Sequence, residues 1–441
     1  MRLDNYLEFE ANERAERRRL AREKDYGILD HLDSFERRFD AEVSDDAVVG
    51  SVSPSIFVGR SDYPNVSTGL LSPVGREERA ASFRTSGAWY DEGVSIADVF
   101  ERRTSLLNAN RGVDVTDAGA SGVGSGGSGT DGASVHDAWD GWLGVQREVA
   151  IADRPVDVEI GLDGTPDLDF EVGVEDVKTP TGPRAAAREA ALGENPHVPR
   201  PVKKTLEDDD WRAEGAMTYL YRRGFDVYEI NTILSAGALG RGRNRRLVPT
   251  RWSITAVDDT VGTFLRGSIR DNPSVDRIEV HRNEYLGNAF WVVLVPGNWE
   301  YELVELKAPG SIWNPDPDAG VYLAAASEGR EGRTGYVEET AGAYYAARLG
   351  VLEHLHDRGR QAKVLVCRHV SDDYWGPVGV WQVREAVRNA FEGERGTAET
   401  FGEAVRGVAS HLPISVGRLR RKSTMAAGLQ ANLADFAGRD E

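Results

Sequence analysis

Apolar positions along the chain recur with two different periods, which sort it into helical and extended stretches. Residues 1–45 are helix-permissive but very polar, with Leu7, Leu20, Ile28, Leu29 and Leu32 as sparse apolar points. Extended character follows in SVSPSIFVGRSDYPNVSTGLLSPVG, where short β-type runs such as Ser55–Val58 alternate with Ser, Pro and Gly. Ser95 can cap a helix through IADVFERRTSLL. The spacing predicts further helices through HDAWDGWLGVQREVAIAD, from Asp208 to a stop at Gly224, and over Ala256–Ile269, Glu338–Arg358, Val380–Phe391 and Thr397–Ala409. Between them VDRIEVHR, YLGNAFWVVLVP and NWEYELVELKA read as three successive strands, an antiparallel meander, and KVLVCRHV as a further buried strand. Strands and helices are only partly interleaved, so the pattern predicts an α+β fold rather than a doubly wound sheet.

Side-chain content divides the chain further. Residues 117–134, DAGASGVGSGGSGTDGAS, offer nothing to a core and read as a flexible, solvated Gly/Ser-rich linker or loop insertion. An N-terminal α+β part (46–116) precedes the linker and a main α+β domain (135–411) follows it. From Leu412 the chain becomes basic, with Arg418, Arg420, Arg421 and Lys422 and no acid up to Gly428, so 412–441 reads as a mobile basic tail.

Charge changes the picture. The 441 residues carry 53 basic and 72 acidic side chains, a formal charge of −19, and only seven of the cations are lysine. Acidic, arginine-rich composition fits solubility in high salt, where exposed charges are screened within a few ångströms. Local patches, not the global sign, therefore decide whether nucleic acid is a partner. One cysteine, Cys367, excludes a disulfide framework and any multi-cysteine zinc site. The longest apolar run, Ala289–Val295, is far shorter than the roughly 20 residues a bilayer requires. Mixed charges occupy the N-terminus where a signal peptide would be apolar. The expectation is a cytoplasmic protein without a membrane partner.

Three groups of residues bear on chemistry. Within GRGRNRRLVPTRW the five arginines Arg241, Arg243, Arg245, Arg246 and Arg251 occur without an acid, and Trp252 follows. Planar guanidinium groups suit phosphate, and an indole can stack on an exposed base, so this run is the candidate DNA-binding segment; ion pairing with surface carboxylates is the competing explanation. Carboxylates cluster at Asp208–Asp210, at Asp258 and Asp259, and at Glu300, Glu302 and Glu305. Such groups could hold the two metal ions of a nuclease, although strand pleating and helix capping also account for them. In EHLH, His354 and His356 point about 200° apart on a helix and cannot grip one metal together, and Cys367 lies inside an apolar strand. No serine-nucleophile or phosphate-loop motif is present, and neither a cofactor nor a catalytic residue is assigned. At the C-terminus Gln430, Leu433 and Phe436 are spaced so that the two apolar side chains share one side of a helical turn, a pattern suited to docking in a hydrophobic groove.

The strings SPSIFVGRSDYPNVSTGLLSP, RRLVPTRWSITAVDD, EYLGNAFWVVLVPGNWEYELVE, GAYYAARLGVLEHL and YWGPVGVWQVREAVR together resemble the archaeal Nre family of DNA repair proteins over much of residues 50–395. The resemblance implies a role in DNA damage repair and binding to the replicative sliding clamp, PCNA. On that resemblance QANLADFA looks like the clamp-binding peptide, with Gln430, Leu433 and Phe436 in matching positions and Ala437 where a second aromatic is usual. Many relatives carry a cysteine-rich zinc segment near the N-terminus. Ala21 and Tyr26 stand where those cysteines are expected, so no structural zinc is expected there. The resemblance assigns no reaction, and a metal-dependent, clamp-associated nuclease is the alternative reading.

Overall fold

The computed structural model describes residues 37, 47–75, 77–115, 141–164, 181–393 and 395–428. The two compact units in it are taken separately. The first is formed by described residues of 47–84, 97–164 and 181–198. It contains β1 (Ala47–Val52), β2 (Ile56–Val58), β3 (Asn65–Ser72), α1 (Ile96–Thr104), β4 (Leu107–Asp114), α2 (Gly141–Ile151), β5 (Val156–Leu162) and β6 (Arg184–Leu192). Its sheet runs β1-β5-β6-β4-β3-β2, with only β4 and β6 parallel. Val52, Leu70, Leu107, Val149 and Val156 form its core, where Thr68 donates to Gln146 at 2.7 Å. Strands from both sides of the Gly/Ser-rich stretch share this sheet. The stretch itself lies outside the described residues, and the division into units falls after residue 198 instead.

The second unit comprises residues 85–96 and the described residues from 199 onward. Beyond the one-turn helix Ala88–Asp91 it contains α3 (Arg200–Glu207), α4 (Ala213–Arg222), α5 (Val227–Ser235), α6 (Thr250–Ile269), β7 (Ile278–Tyr285), β8 (Asn288–Val295), β9 (Glu300–Lys307), β10 (Tyr322–Glu328), α7 (Ala341–Asp357), β11 (Lys363–Val370), α8 (Trp381–Ala390), β12 (Gly396–Ala398), α9 (Phe401–Ala409), α10 (Val416–Lys422) and α11 (Thr424–Ala427). The α+β expectation holds. β7 and β8 do form a hairpin, turned by Leu286 (φ 52°) and Gly287 (φ 68°). Gly287 has no alternative, because a Cβ there would lie 2.6 Å from the Tyr374 amide nitrogen. The meander stops at that hairpin. β11 inserts between β8 and β9, antiparallel to the first and parallel to the second, giving β10-β9-β11-β8-β7-β12. KVLVCRHV is almost wholly buried, so it belongs in the sheet centre with a neighbour on both sides.

Both faces of this sheet are covered. On one, Tyr301 meets Tyr344 of α7 with ring centroids 5.0 Å apart and donates to its carbonyl at 3.2 Å. On the other, Trp291, Val293, Val304, Leu365 and Cys367 pack with Val405 and Val408 of α9, Leu419 of α10 and Ala426 of α11. Residues 412–428 are therefore not a free tail: the basic composition concealed two short helices that bury Leu419 and Ala426 completely and Val416 and Met425 in part. Buried Glu302 holds them. It accepts from Ser423 Oγ (2.6 Å), from the amide and hydroxyl of Thr424 (2.7 and 2.8 Å) and from the Met425 amide (3.0 Å).

Candidate nucleic-acid interface

The arginine run is the loop joining α5 to α6. Asp226 and Glu229 close a capping box at the start of α5. At its end Gly237 (φ 69°) turns the chain so tightly that a Cβ would sit 2.6 Å from the Arg246 carbonyl carbon. The loop returns to pair Val248 N with Ser235 O at 3.1 Å, anchored by buried Leu239 and Leu247. Pro249 then precedes α6, whose first turn consists of Thr250, Arg251 and Trp252. The Trp252 amide donates to the Pro249 carbonyl at 2.8 Å, and the aligned peptide dipoles make that end electropositive.

The structure divides the five arginines. Arg245 is 8% exposed. Its guanidinium donates to the carbonyls of Gly240 (2.9 Å), Leu206 (2.9 Å), Thr205 (3.0 Å) and Asp208 (3.3 Å), and pairs with Asp209 at 3.5 Å. It closes the C-terminal carbonyls of α3, and burial with these contacts on all three of its nitrogens commits it to the fold rather than to phosphate. The expectation of a DNA contact at Arg245 is thus corrected: the acid-free run hid a partner some forty residues upstream. Arg241, Arg246 and Arg251 are exposed, and Trp252 keeps 45% of its surface. The side chain of Arg243 and the peptide Gln430–Ala437 lie outside the described residues.

The carboxylates are committed elsewhere. Asp258 is bidentate with Arg384 (2.7 and 2.7 Å), Asp259 pairs with Arg348 (2.6 Å), Glu300 with Lys363 (2.9 Å) and Glu305 with Arg368 (2.6 Å). Glu353 accepts from Tyr221 (3.0 Å) and twice from Arg388 (both 2.7 Å). Arg388 also reaches Glu385, which accepts from Tyr228 at 2.7 Å. Burial, reinforced by these carboxylates, raises the phenols of Tyr221 and Tyr228. One polar network thus joins α4, α5, α7 and α8, with the Asp258–Arg384 pair adding α6. Sequence reading missed it; its only signal was the spacing of Arg384, Glu385 and Arg388 three and four residues apart on one helix.

His354 stacks on Phe391 at 3.8 Å, and burial, then Arg358, pull it down to about 4. His356 instead meets Ser268 at 2.8 Å. Among the described residues no group of three or more His, Cys, Asp or Glu is arranged to hold a metal ion, and no helix is long and apolar enough to cross a membrane. Burial pushes the Cys367 thiol up to about 12, with Glu302 adding to the shift. The native protein is accordingly expected to take up no Ellman reagent at neutral pH, and one equivalent after denaturation. Rapid native labelling would contradict that placement.

The family model "Archaeal Nre, N-terminal" matches residues 20–314 and "Archaeal Nre, C-terminal" matches 328–436. The chain is 70% identical to the Haloferax volcanii "DNA repair protein NreA" over 437 residues, 99% of this chain and 100% of that protein. It is 34% identical to the "DNA repair protein NreA" of Archaeoglobus fulgidus over 403 residues, 91% and 93% of the two chains. It is also 34% identical to the "DNA repair protein NreB" of that organism over 390 residues, 88% and 92%. No solved structure matches significantly. With both family models matched in order and a relative aligned end to end, the chain belongs to the archaeal Nre family.

Proposed function

We propose that this protein acts in DNA repair in the cytoplasm, meeting DNA at the start of α6 and the sliding clamp PCNA through Gln430, Leu433, Phe436 and Ala437. The observation that carries the repair role is the 70% identity, over essentially the whole chain, to a protein named for DNA repair. The DNA contact is supported by exposed Arg241, Arg246 and Arg251 beside Trp252 at an electropositive helix end, in a chain of net charge −19. The clamp contact is supported by the spacing of the peptide and by Glu302, which fixes the chain at Thr424, six residues before Gln430. A peptide linked this closely to a body that also touches DNA raises the local concentration of each weak contact to roughly millimolar.

The DNA contact is tested by replacing Arg241, Arg246 and Arg251 together with glutamine, leaving Arg245 to hold α3. DNA affinity is expected to fall, and each lost phosphate contact should flatten the salt dependence by about 0.7–0.9 in log–log slope. Unchanged affinity and slope would refute the contact.

A further inference from the structure

β10 is the outer strand of the second unit's sheet: β9 pairs along its whole length, and no described strand lies on its other side. In an antiparallel edge, alternate residues turn both backbone groups away from the neighbouring strand. In β10 these are Leu323, Ala325 and Ser327. The Ala325 amide donates outward to Glu339 Oε2 at 3.2 Å, and the Ser327 carbonyl accepts outward from Arg333 Nη1 at 2.7 Å. Arg418 takes the Val321 carbonyl in the same direction. Single side chains from three segments thus cover parts of the edge, without the ladder that a further strand would supply. An open cleft of about 180 Å³ follows this edge, lined by residues 325–327 of β10 and by Glu339, Lys422 and Thr424. Lys422 crosses it to Glu339 at 3.0 Å, and both side chains are partly exposed. Thr424 Oγ1 lies 3.4 Å from Ser327 Oγ, so α11 begins against the last outward residue of β10.

We propose that residues 429–435 add to β10 as an antiparallel strand, so that the free protein stows its C-terminal peptide and a partner must displace it from the sheet edge. This rests on the clamp contact proposed above only for what the stowing regulates. Reach supports the occupant. The chain leaves α11 at Gly428, about 6 Å along the helix from Thr424, and seven extended residues span roughly 23 Å, the length of seven-residue β10. A segment that starts beside Ser327 and follows β10 runs toward Leu323, which makes it antiparallel. Charge supports the register. With Leu429 opposite Ser327, Asp435 arrives opposite Val321, where Arg418 lies. Further along, Asp440 and Glu441 outnumber Arg439, whereas Arg333, Arg418 and Lys422 flank the edge. Stowed in this way, Gln430 and Leu433 are held in the sheet and withheld from any other groove.

Hydrogen–deuterium exchange with mass spectrometry tests this on the full-length protein, since so short a strand adds too little ellipticity for circular dichroism. Amides of 430–435 are expected to exchange about tenfold more slowly than in the isolated 429–441 peptide, a stowed share of roughly nine in ten. Ser327→Pro removes an outward N–H at an edge position that tolerates proline, and should return those amides to the peptide rate. Its affinity for PCNA should rise by the same factor, about tenfold. In the 429–441-deleted protein the Leu323 and Ser327 amides should exchange faster than in the full chain, an arm that decides even if Ser327→Pro fails to fold. Peptide-like exchange of 430–435 in wild type, or protection that Ser327→Pro leaves intact, overturns the proposal. Protection that grows with protein concentration assigns the edge to a second copy and also overturns it. If the exchange differences appear but neither protein binds PCNA, the stowed strand stands and the clamp reading fails.

Discussion

Arg384→Ala is expected to destabilise the protein by about 3–5 kcal/mol, the cost of breaking a buried ion pair by removing one partner. Asp258 and Arg384 are 1% and 3% exposed in their side chains, and three guanidinium–carboxylate contacts join them. Burial pushes the Asp258 carboxyl up, and Arg384 is the foremost group opposing that shift. Without the guanidinium, α6 must either bury an unpaired charge or take up a proton, and Tyr228 loses the cation 4.8 Å from its ring. Replacing both partners, as Asp258→Leu with Arg384→Met, should cost clearly less than the sum of the single changes, because no charge is stranded. Guanidinium denaturation of the four proteins measures this. A single-variant midpoint equal to wild type, or strictly additive losses, would refute the pair's role in joining α6 to α8.

What the sequence made legible follows from how local each determinant is. Helices appeared where caps and stops are near neighbours: Gly224 (φ 88°) ends α4 within two residues of the predicted stop, and α8 and α7 begin within three residues of expectation. α6 starts six residues earlier than its apolar pattern, because Pro249 sets its first turn and no apolar residue is needed there. Strand order was not legible, since the place of β11 between β8 and β9 depends on a crossover through α7 and not on any run of neighbours. The C-terminal helices were hidden for the same reason. Leu419 and Ala426 are too few to give a periodic signal, and their docking depends on Glu302 more than a hundred residues away. In the candidate site, exposure of Arg241, Arg246 and Trp252 could be anticipated from the absence of an apolar period. The role of Arg245 could not, because carbonyl acceptors leave no trace in side-chain sequence.

Removing residues 429–441 is expected to abolish clamp binding, and Phe436→Ala alone to weaken it tenfold or more. Leu433 and Phe436 are the two large apolar side chains of the proposed clamp peptide, and full burial of such a side chain is worth about 1.5–3 kcal/mol before ordering costs, with 1.4 kcal/mol per decade of affinity. With Ala437 in the place of a second aromatic, little else in the peptide can compensate. The fold should be indifferent to both changes, because the last helix is already fixed by Glu302 and by buried Ala426 before residue 429. Cells carrying either change should become sensitive to DNA damage. The central claim is that this tail recruits a repair protein to the clamp, and one titration tests it most directly: full-length, Phe436→Ala and 429–441-deleted proteins over immobilised PCNA by surface plasmon resonance. The account predicts at least a tenfold loss for the point variant and no measurable binding for the deletion, with unchanged circular dichroism. Wild-type affinity in the deleted protein would contradict it.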